Sequence, residues 1–342
     1  MPLPFAGFYG VYRSDTQSLT GYVMKRVYSQ IESAPEIPSR TKVRIVRGIG
    51  AVLTPFYLLA ASLLGAPGIR MHIRCAALAF RLMINRRIPL SEALTLACYP
   101  FDSVRYFEFD TLWKWLHKCK RGDRHLDISS PRLFFLLLSV AHPELDVWLV
   151  NPDQRDMTTT QASIHALDLD KRCRTFNCLI ADANLTPANF YTITSISVIE
   201  HIPEPDDLIA LKHIWELLTP GGRLFLSVPC AAEAFEEYLN LNEYGILETA
   251  EDGYVYGQRF YDEELLQSRI FRILGQPERT RIYGEKNPGA FVASRTQKAR
   301  DVLYPFWRES YMMGRAYRYF ERVREMPGLG VICMEFVKTQ EP

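Results

Sequence analysis

The feature that most constrains the fold is a strand, a helix and a second strand that follow one another between residues 193 and 229. Ile193 to Ile199 (ITSISVI) is a short β-branched run bounded by turn residues, as expected of a strand buried on both faces. Apolar residues then repeat at helical spacing from Leu208 to Leu218, and the turn TPGG precedes the strand Arg223 to Val228 (RLFLSV). Such a crossover makes the strands parallel and brings their carboxyl ends to one edge, where α/β sheets bind ligands.

Three earlier segments, which we interpret as strands with their following loops, complete this unit: His125 to Leu133 (HLDISSPRL), Val147 to Asp153 (VWLVNPD) and Leu179 to Leu185 (LIADANL). With SISVIEHIPEPDD and LLTPGGRLFLSVP, they resemble the first five strands of class I S-adenosylmethionine-dependent methyltransferases, in the small-molecule, methyltransferase type 11-like branch. The resemblance implies an α/β fold, a Rossmann-like sheet with helices on both faces, and S-adenosylmethionine as the cofactor. We expect the last strand pair at Arg281 to Gly284 and Gly330 to Val337.

The resemblance also implies a cofactor site along the carboxyl edge of the sheet. It assigns to the cofactor Asp127, Ser129, Ser130, Pro131, Asn151, Asp153, Asp182, Ala183 and Ser197. Asp182 takes the position of the acidic residue that contacts adenine in the family.

The first loop departs from the family pattern, because Ser129, Pro131 and Leu133 stand where glycines are usual. Glycine lets the backbone approach a ligand closely and adopt positive φ. One interpretation is a working variant, in which Ser130 caps the next helix and Pro131 fits its first position. The N–H groups of that helix would then face the methionine carboxylate. The other interpretation is a closed loop that has lost cofactor binding.

A second departure follows the second strand, where Asn151 replaces the ribose-binding carboxylate of the family. Its amide can still hydrogen-bond a hydroxyl. Asp153 either contributes to the ribose site or caps the following helix. The aromatic segment Tyr99 to Leu116 precedes the first strand and contains Arg105 and Tyr106. The resemblance places both at the methionine end of the cofactor, where Arg105 would pair with the carboxylate and the Tyr106 ring would face the sulfonium.

Glu200 and His201 directly follow the fourth strand and are the candidate catalytic residues. Histidine suits general-base work, whereas Glu200 would orient His201 or meet the adenosyl group. A positioning role for His201 is the alternative.

The acceptor pocket is expected beyond the fifth strand, in a loop from Gly253 to Tyr261. Its candidate residues, with one from the later insertion, are Tyr254, Tyr256, Arg259, Tyr261 and Trp307. The insertion, about 285–329 and predicted to be helical, is aromatic and rich in methionine. It would form a lid, a packed helix pair or a homodimer interface.

We divide the chain into an N-terminal helical subdomain, 1–120, and the methyltransferase-like domain, 121–342. Leu19, Tyr22, Val23, Val27 and Ile31 are spaced as on an amphipathic helix. Gly48 to Ile69 lacks formal charge over about the length of a membrane span, between clusters of Lys and Arg. A buried helix is the preferred interpretation. A helix lying on a membrane surface and a true span remain open.

Composition narrows the function further. With 40 Lys and Arg against 39 Asp and Glu, the net charge gives no case for a nucleic-acid partner. Seven cysteines without a CxxC pair favour reduced thiols in the cytoplasm, and the sequence carries no metal-binding signature. The predicted function is methylation at oxygen, nitrogen or carbon of a small lipophilic or aromatic acceptor, with peripheral membrane contact open. The alternative is a catalytically inactive binding or scaffold protein.

Overall fold

The computed structural model describes residues 10–19, 22–30, 39–84, 88, 90–116, 123–242, 245, 247–301 and 303–339. The helices are α1 (Arg40–Leu63), α2 (Ile69–Ile84), α3 (Leu90–Cys98), α4 (Arg105–Trp115), α5 (Arg132–Ala141), α6 (Gln154–Ala166), α7 (Asp206–Leu217), α8 (Glu263–Leu265), α9 (Arg272–Leu274), α10 (Ala290–Arg300) and α11 (Glu309–Ala316). The strands are β1 (Gly10–Leu19), β2 (Tyr22–Gln30), β3 (Arg124–Ile128), β4 (Asp146–Val150), β5 (Cys173–Phe176), β6 (Phe190–Ile196), β7 (Leu218–Cys230), β8 (Phe235–Leu239), β9 (Val255–Phe260), β10 (Arg279–Glu285), β11 (Tyr317–Phe320) and β12 (Gly330–Val337).

The main sheet has eight strands in the order β11-β10-β12-β7-β6-β3-β4-β5. Strands β3 to β7 run parallel to one another in this sheet, whereas β12 is antiparallel to both β7 and β10. The predicted last strand pair is therefore confirmed. One strand prediction is wrong: the third core strand is β5, and LIADANL follows it as a short turn, Ile180–Asp182, with a loop.

Both faces of the main sheet are covered, because its strands alternate side chains between two apolar clusters. Leu224 and Leu226 of β7 join the cluster that contains α7, whereas Phe225 between them joins the cluster that contains α2, α4 and α5. The period of two along a strand produces this division. The predicted Rossmann-like sheet with helices on both faces is confirmed.

A second sheet, β1-β2-β8-β9, was not predicted. The proposed amphipathic helix of residues 19–31 is wrong, since β1 and β2 form an antiparallel hairpin there. Strand β2 pairs in parallel with β8, and β9 replaces the predicted loop after the fifth core strand. Ile31 lies outside the described residues. The N-terminal segment thus pairs with a strand from the far half of the chain, and local spacing does not reveal that pairing.

The predicted insertion about 285–329 is only partly helical. It contains α10 and α11, but β11 within it extends the main sheet beside β10. Its helix α11 and the turn Phe306–Arg308 pack against α1. Tyr283 of β10 stabilises this region through a 2.8 Å hydrogen bond from its hydroxyl to Met313 O.

Candidate active site

The loops that follow β3 and β6 begin at one edge of the main sheet, against the neighbouring strands β4 and β7. The Ser129 N–H donates to Val150 O at 2.9 Å, and the Ser197 N–H donates to Ser227 O at 3.1 Å. These bonds hold the ends of neighbouring strands in register. The edge they form is the one at which parallel α/β sheets bind ligands.

Two serines at this edge adopt a left-handed backbone, with φ of +50° at both Ser129 and Ser197. This region is uncommon for a residue with a side chain and costs on the order of 1–2 kcal/mol. Ser129 stands where the resemblance predicts a glycine, the residue that adopts positive φ most readily. The backbone at Ser129 therefore stays in the left-handed region even though the residue is not glycine.

Asp127 is fully buried at the base of the first loop. It accepts hydrogen bonds from the Ser130 N–H (3.0 Å) and the Thr194 hydroxyl (2.8 Å). Thr194 also lies 3.1 Å from His125 Nε2, and the Thr192 hydroxyl lies 2.9 Å from His125 Nδ1. Burial raises the pKa of Asp127 to about 7 and lowers that of His125 to about 3. Asp127 thus supports the loop from beneath.

Ser130 and Pro131 do not play the parts that the sequence suggested. The Ser130 hydroxyl accepts from the Ile196 N–H at 3.1 Å, so it satisfies the end of β6 instead of capping α5. Pro131 occupies the N-cap position without a side-chain cap, and α5 begins at Arg132. The predicted helix cap at Ser130 is therefore wrong.

The position expected to bind ribose is filled by bonds within the protein. The Asn151 amide donates to Asp156 (3.0 Å), and its oxygen accepts from the Asp153 N–H (2.9 Å). Asp153 caps α6 by accepting from the Arg155 and Asp156 N–H groups. Of the two roles left open for Asp153, the structure gives it the helix cap.

The position expected to bind adenine is accessible. Asp182 is exposed at the end of its short turn, and Leu179 beside it leaves 47% of its surface exposed. Ala183 is buried beneath them. An apolar side chain next to an exposed carboxylate matches the flat ring and exocyclic amine of an adenine.

Glu108 was not predicted, yet it connects α4 to the edge of the sheet. Its Oε1 accepts from the hydroxyls of Ser197 (2.6 Å) and Ser227 (2.7 Å), and its Oε2 accepts from Arg105 (2.7 Å). Glu108 is fully buried, while the side chain of Arg105 keeps 27% exposure. A carboxylate inside the apolar run YFEFD was the available sequence signal, since a buried charge requires partners.

Tyr106 points elsewhere. Its hydroxyl lies 2.9 Å from His72 Nδ1 of α2, and its ring is almost fully buried. Burial lowers the pKa of His72 to about 4. Tyr106 therefore fixes α4 to α2, and the structure does not bring it to the predicted methionine end.

Glu200 and His201 lie in the turn after β6, under the second sheet. His201 Nδ1 donates to Gly257 O at 2.7 Å, because a carbonyl only accepts, and the neutral ring then presents Nε2 as an acceptor. Burial lowers the pKa of His201 to about 4 and raises that of Glu200 to about 8. Their side chains approach to 3.9 Å. Among the described residues, Oε2 of the buried Glu200 has no hydrogen-bond partner.

The predicted acceptor residues do not converge. Tyr256 donates a 2.8 Å hydrogen bond to Glu200 O and so lies at the candidate site. Arg259, only 1% exposed, is held by Asp207 and Glu236.

The other three predicted acceptor residues pack against other parts of the protein. Tyr261 is fully buried, and Tyr254 packs edge-on against Tyr28. Trp307 packs near Tyr99 at α1. Within the part of the chain that the structure describes, three or more His, Cys, Asp or Glu side chains nowhere assemble a metal site.

Comparison with known proteins gives partial similarities, and no family model matches the chain. Over 95 residues the chain is 30% identical to a ubiquinone biosynthesis O-methyltransferase of Idiomarina loihiensis. The matched region is 27% of this chain and 37% of that protein. The chain thus matches little more than a third of that relative.

Two solved structures resemble the chain at lower identity. Geranyl diphosphate C-methyltransferase from Streptomyces coelicolor A3(2) aligns with a TM-score of 0.46 and 11% identity, covering 74% of this chain and 85% of that one. Phosphoethanolamine N-methyltransferase 2 of Haemonchus contortus aligns with a TM-score of 0.42 and 17% identity, covering 69% and 53%. The fold assignment rests on strand order: β5, β4, β3, β6, β7, the reversed β12 and β10 follow one another across the sheet. The chain has the fold of the class I S-adenosylmethionine-dependent methyltransferases.

Proposed function

We propose that this protein is an S-adenosylmethionine-dependent methyltransferase that acts on a small lipophilic or aromatic acceptor. The observation that carries the proposal is the backbone of Ser129, which holds φ at +50° where the family has a glycine. Serine pays a conformational cost for this, and strain of this kind persists where the surrounding structure enforces it, commonly at ligand sites. The conformation supports a loop that still accommodates a cofactor.

The side chains at the edge fit S-adenosylmethionine at two of its three parts. Asp182 and the exposed Leu179 suit the adenine, and Arg105, still partly exposed, suits the methionine carboxylate. The ribose part fits less well, because Asn151 is engaged by Asp153 and Asp156. When bound, the cofactor supplies a methyl group on a sulfonium, which an acceptor displaces in line.

On the acceptor side, the second sheet screens the turn of Glu200 and His201 from water. Tyr256 and Gly257 of β9 both hydrogen-bond this turn, at 2.8 and 2.7 Å. A neutral His201 presents Nε2 to accept a proton or a hydrogen bond from an acceptor hydroxyl. The curated relative is named as an O-methyltransferase, so we place oxygen ahead of nitrogen and carbon as the acceptor atom.

A catalytically inactive binding or scaffold protein is the second candidate. The observation that favours it is the engagement of two expected cofactor contacts inside the protein: Asn151 with Asp156, and Arg105 with Glu108. Both pairs would have to open or share their bonds when a cofactor binds. A protein that had lost cofactor binding would also have its former contact residues paired with one another in this way.

Calorimetric titration with S-adenosylmethionine and with S-adenosylhomocysteine separates the two. Saturable micromolar binding is expected, and Asp182→Ala should weaken it about tenfold, equal to about 1.4 kcal/mol. Glu264→Ala removes another exposed carboxylate and should leave the affinity unchanged. If a cooperatively folded sample binds neither compound, the scaffold function replaces the enzyme. Transfer of a labelled methyl group to a lipophilic phenol then tests oxygen as the acceptor atom.

A further inference from the structure

Helix α1 exposes an apolar stripe along its whole length. The side chains are Ile45, Ile49, Val52, Phe56, Leu59 and Leu63, and their exposure runs from 46% at Ile49 to 81% at Leu63. At 3.6 residues per turn, all six lie within roughly 40° of one line along the helix. The outward face of α1 is thus the apolar one, the reverse of a helix on the surface of a soluble domain.

The neighbouring helix α2 continues this pattern. Ile73, Phe80 and Ile84 are each more than half exposed at helical spacing. A shallow groove lined by Ala77, Phe80, Arg81 and Ile84 lies on the same helix. A contiguous apolar surface of this kind indicates an interaction site, whereas single exposed apolar side chains do not.

The charges around the two stripes have a single sign. Between Ser39 and Ile84 the sequence contains Lys and Arg but neither Asp nor Glu, although the whole chain carries 40 basic and 39 acidic residues. Lys42 and Arg44 are exposed at the start of α1, and Arg70, Arg74 and Arg81 are exposed on α2. Two helices that carry apolar stripes and cations, but no carboxylates in their own sequence, complement a surface that is apolar inside and anionic outside.

The opposite face of α1 is attached to the protein. A Cβ at Gly50 would lie 2.2 Å from the Tyr99 hydroxyl and 2.7 Å from the Trp307 ring. Thr54 and Ala61 are buried on this side, and at the end of α1 Gly314 of α11 packs close to Leu64. The helix therefore contacts other elements over most of its length.

Among the residues that the structure describes, one helix, Thr41–Leu63, is long and apolar enough to cross a membrane by length and composition, with a mean hydropathy of 1.5. Only 17% of the apolar 18-residue stretch of this helix is buried, which contradicts the preferred interpretation of the sequence as a buried helix. Crossing a bilayer would strip α1 from Tyr99, Trp307 and α11. Lying in the plane of the interface keeps those contacts and covers the stripe.

We propose that α1 and α2 dock this protein onto an anionic lipid bilayer, with α1 lying in the plane of the interface. The apolar stripes enter the boundary between headgroups and acyl chains, and the flanking cations meet lipid phosphates. This docking does not depend on the proposed methyltransferase activity, and binding alone tests it.

The full chain is sedimented with vesicles of phosphatidylcholine, with or without phosphatidylglycerol, at low and high salt. Binding to the anionic vesicles is expected, and it weakens with salt. The double change Val52→Ser with Phe56→Ser should reduce binding more than tenfold, whereas Ile209→Ser, at a 52% exposed site on α7, should not. Lys42→Glu with Arg44→Glu should reduce binding to anionic vesicles by more than tenfold, because two cations near the lipid phosphates are replaced by two anions. Arg155→Glu, on exposed α6 surface, is its control.

Depth then separates docking from spanning. Fluorophores at Ile45→Cys and Leu63→Cys should be quenched by lipid-borne quenchers at equal, shallow depth. Unequal depths would mean that α1 spans the bilayer, which overturns the in-plane geometry. Failure to bind any vesicle overturns the proposal. If the unmodified protein then forms dimers and the Val52→Ser, Phe56→Ser variant is monomeric, the stripe binds a second copy of the chain.

Discussion

The carboxylate of Glu108 accepts a 2.6 Å hydrogen bond from the hydroxyl of Ser197. The same oxygen accepts from Ser227 at 2.7 Å, so a buried carboxylate joins α4 to the ends of β6 and β7. Arg105 completes the group from the partly exposed side. The segment that precedes the sheet in sequence is thereby fixed at the edge where the cofactor is proposed to bind.

Glu108→Ala should lower the free energy of unfolding by about 3 kcal/mol, because Arg105 and two hydroxyls lose their acceptor in a buried place. Ser227→Ala removes only one of these bonds and should cost about 1 kcal/mol. Urea denaturation followed by circular dichroism measures both. Equal losses in the two variants would mean that Glu108 contributes no more than a single hydroxyl contact.

Glu200 should make the binding of S-adenosylmethionine depend on pH. Burial raises the pKa of Glu200 to about 8, so it is mostly protonated at pH 7. A sulfonium bound at the end of β6 would favour the carboxylate and release that proton. Affinity should then rise with pH toward about 8, by at most tenfold per unit.

S-adenosylhomocysteine, whose sulfur is uncharged, is the matched ligand for this measurement, and Glu200→Gln is the matched variant. Both should give a flatter dependence of affinity on pH. Parallel curves for the two ligands with the unmodified protein would place the sulfonium away from Glu200.

Asp127 should make the fold less stable as the pH rises from about 4 to about 7. Burial raises its pKa to about 7 from 3.8, so the folded state keeps a proton that the unfolded state has lost. Its contribution is complete below 3.8 and is lost as the pH rises, by up to about 1.4 kcal/mol per unit. The melting temperature of Asp127→Asn should lack this slope. A variant that follows the parent across this range would assign the slope to other groups.

Core strands β6 and β7 could be predicted because they are largely buried and read as runs of β-branched and apolar residues. Ile193 to Ile196 and Arg223 to Val228 lie within β6 and β7. The predicted turn Thr219 to Gly222 does not precede the strand, because β7 begins at Leu218 and includes it. Strand β5, with the sequence CRTF, is too short and too polar for that signal. The strand was predicted instead at the neighbouring segment LIADANL, because that segment is more apolar.

The N-terminal hairpin could not be read in this way. Tyr22, Val23 and Val27 suit a helical face by spacing, but β-branched and aromatic residues also pack well in strands. Tertiary pairing decided the outcome: Val27 of β2 lies opposite Glu237 of β8. The Ser29 hydroxyl donates to the same Glu237 at 2.8 Å.

Site residues were harder to predict than strands, because position at the edge does not fix what a side chain binds. Asp153 and Asn151 follow β4 as expected, yet each is used by the start of α6. Arg259 lies in β9 next to the candidate site but faces Asp207 and Glu236 inside the protein. Asp182, by contrast, keeps the exposure that its expected role requires.

His201 should influence turnover without introducing a pH inflection near 6.5. Burial lowers its pKa to about 4, so the ring is neutral across the range in which an exposed histidine titrates. Its Nδ1 is held by Gly257 O at 2.7 Å, which orients Nε2. If Nε2 holds the acceptor, His201→Ala should lower kcat more than it lowers S-adenosylmethionine affinity. Tyr256→Phe is the control, since it removes a 2.8 Å bond to the same turn but keeps the imidazole. Equal losses of kcat and affinity in His201→Ala would make His201 a residue that positions the cofactor.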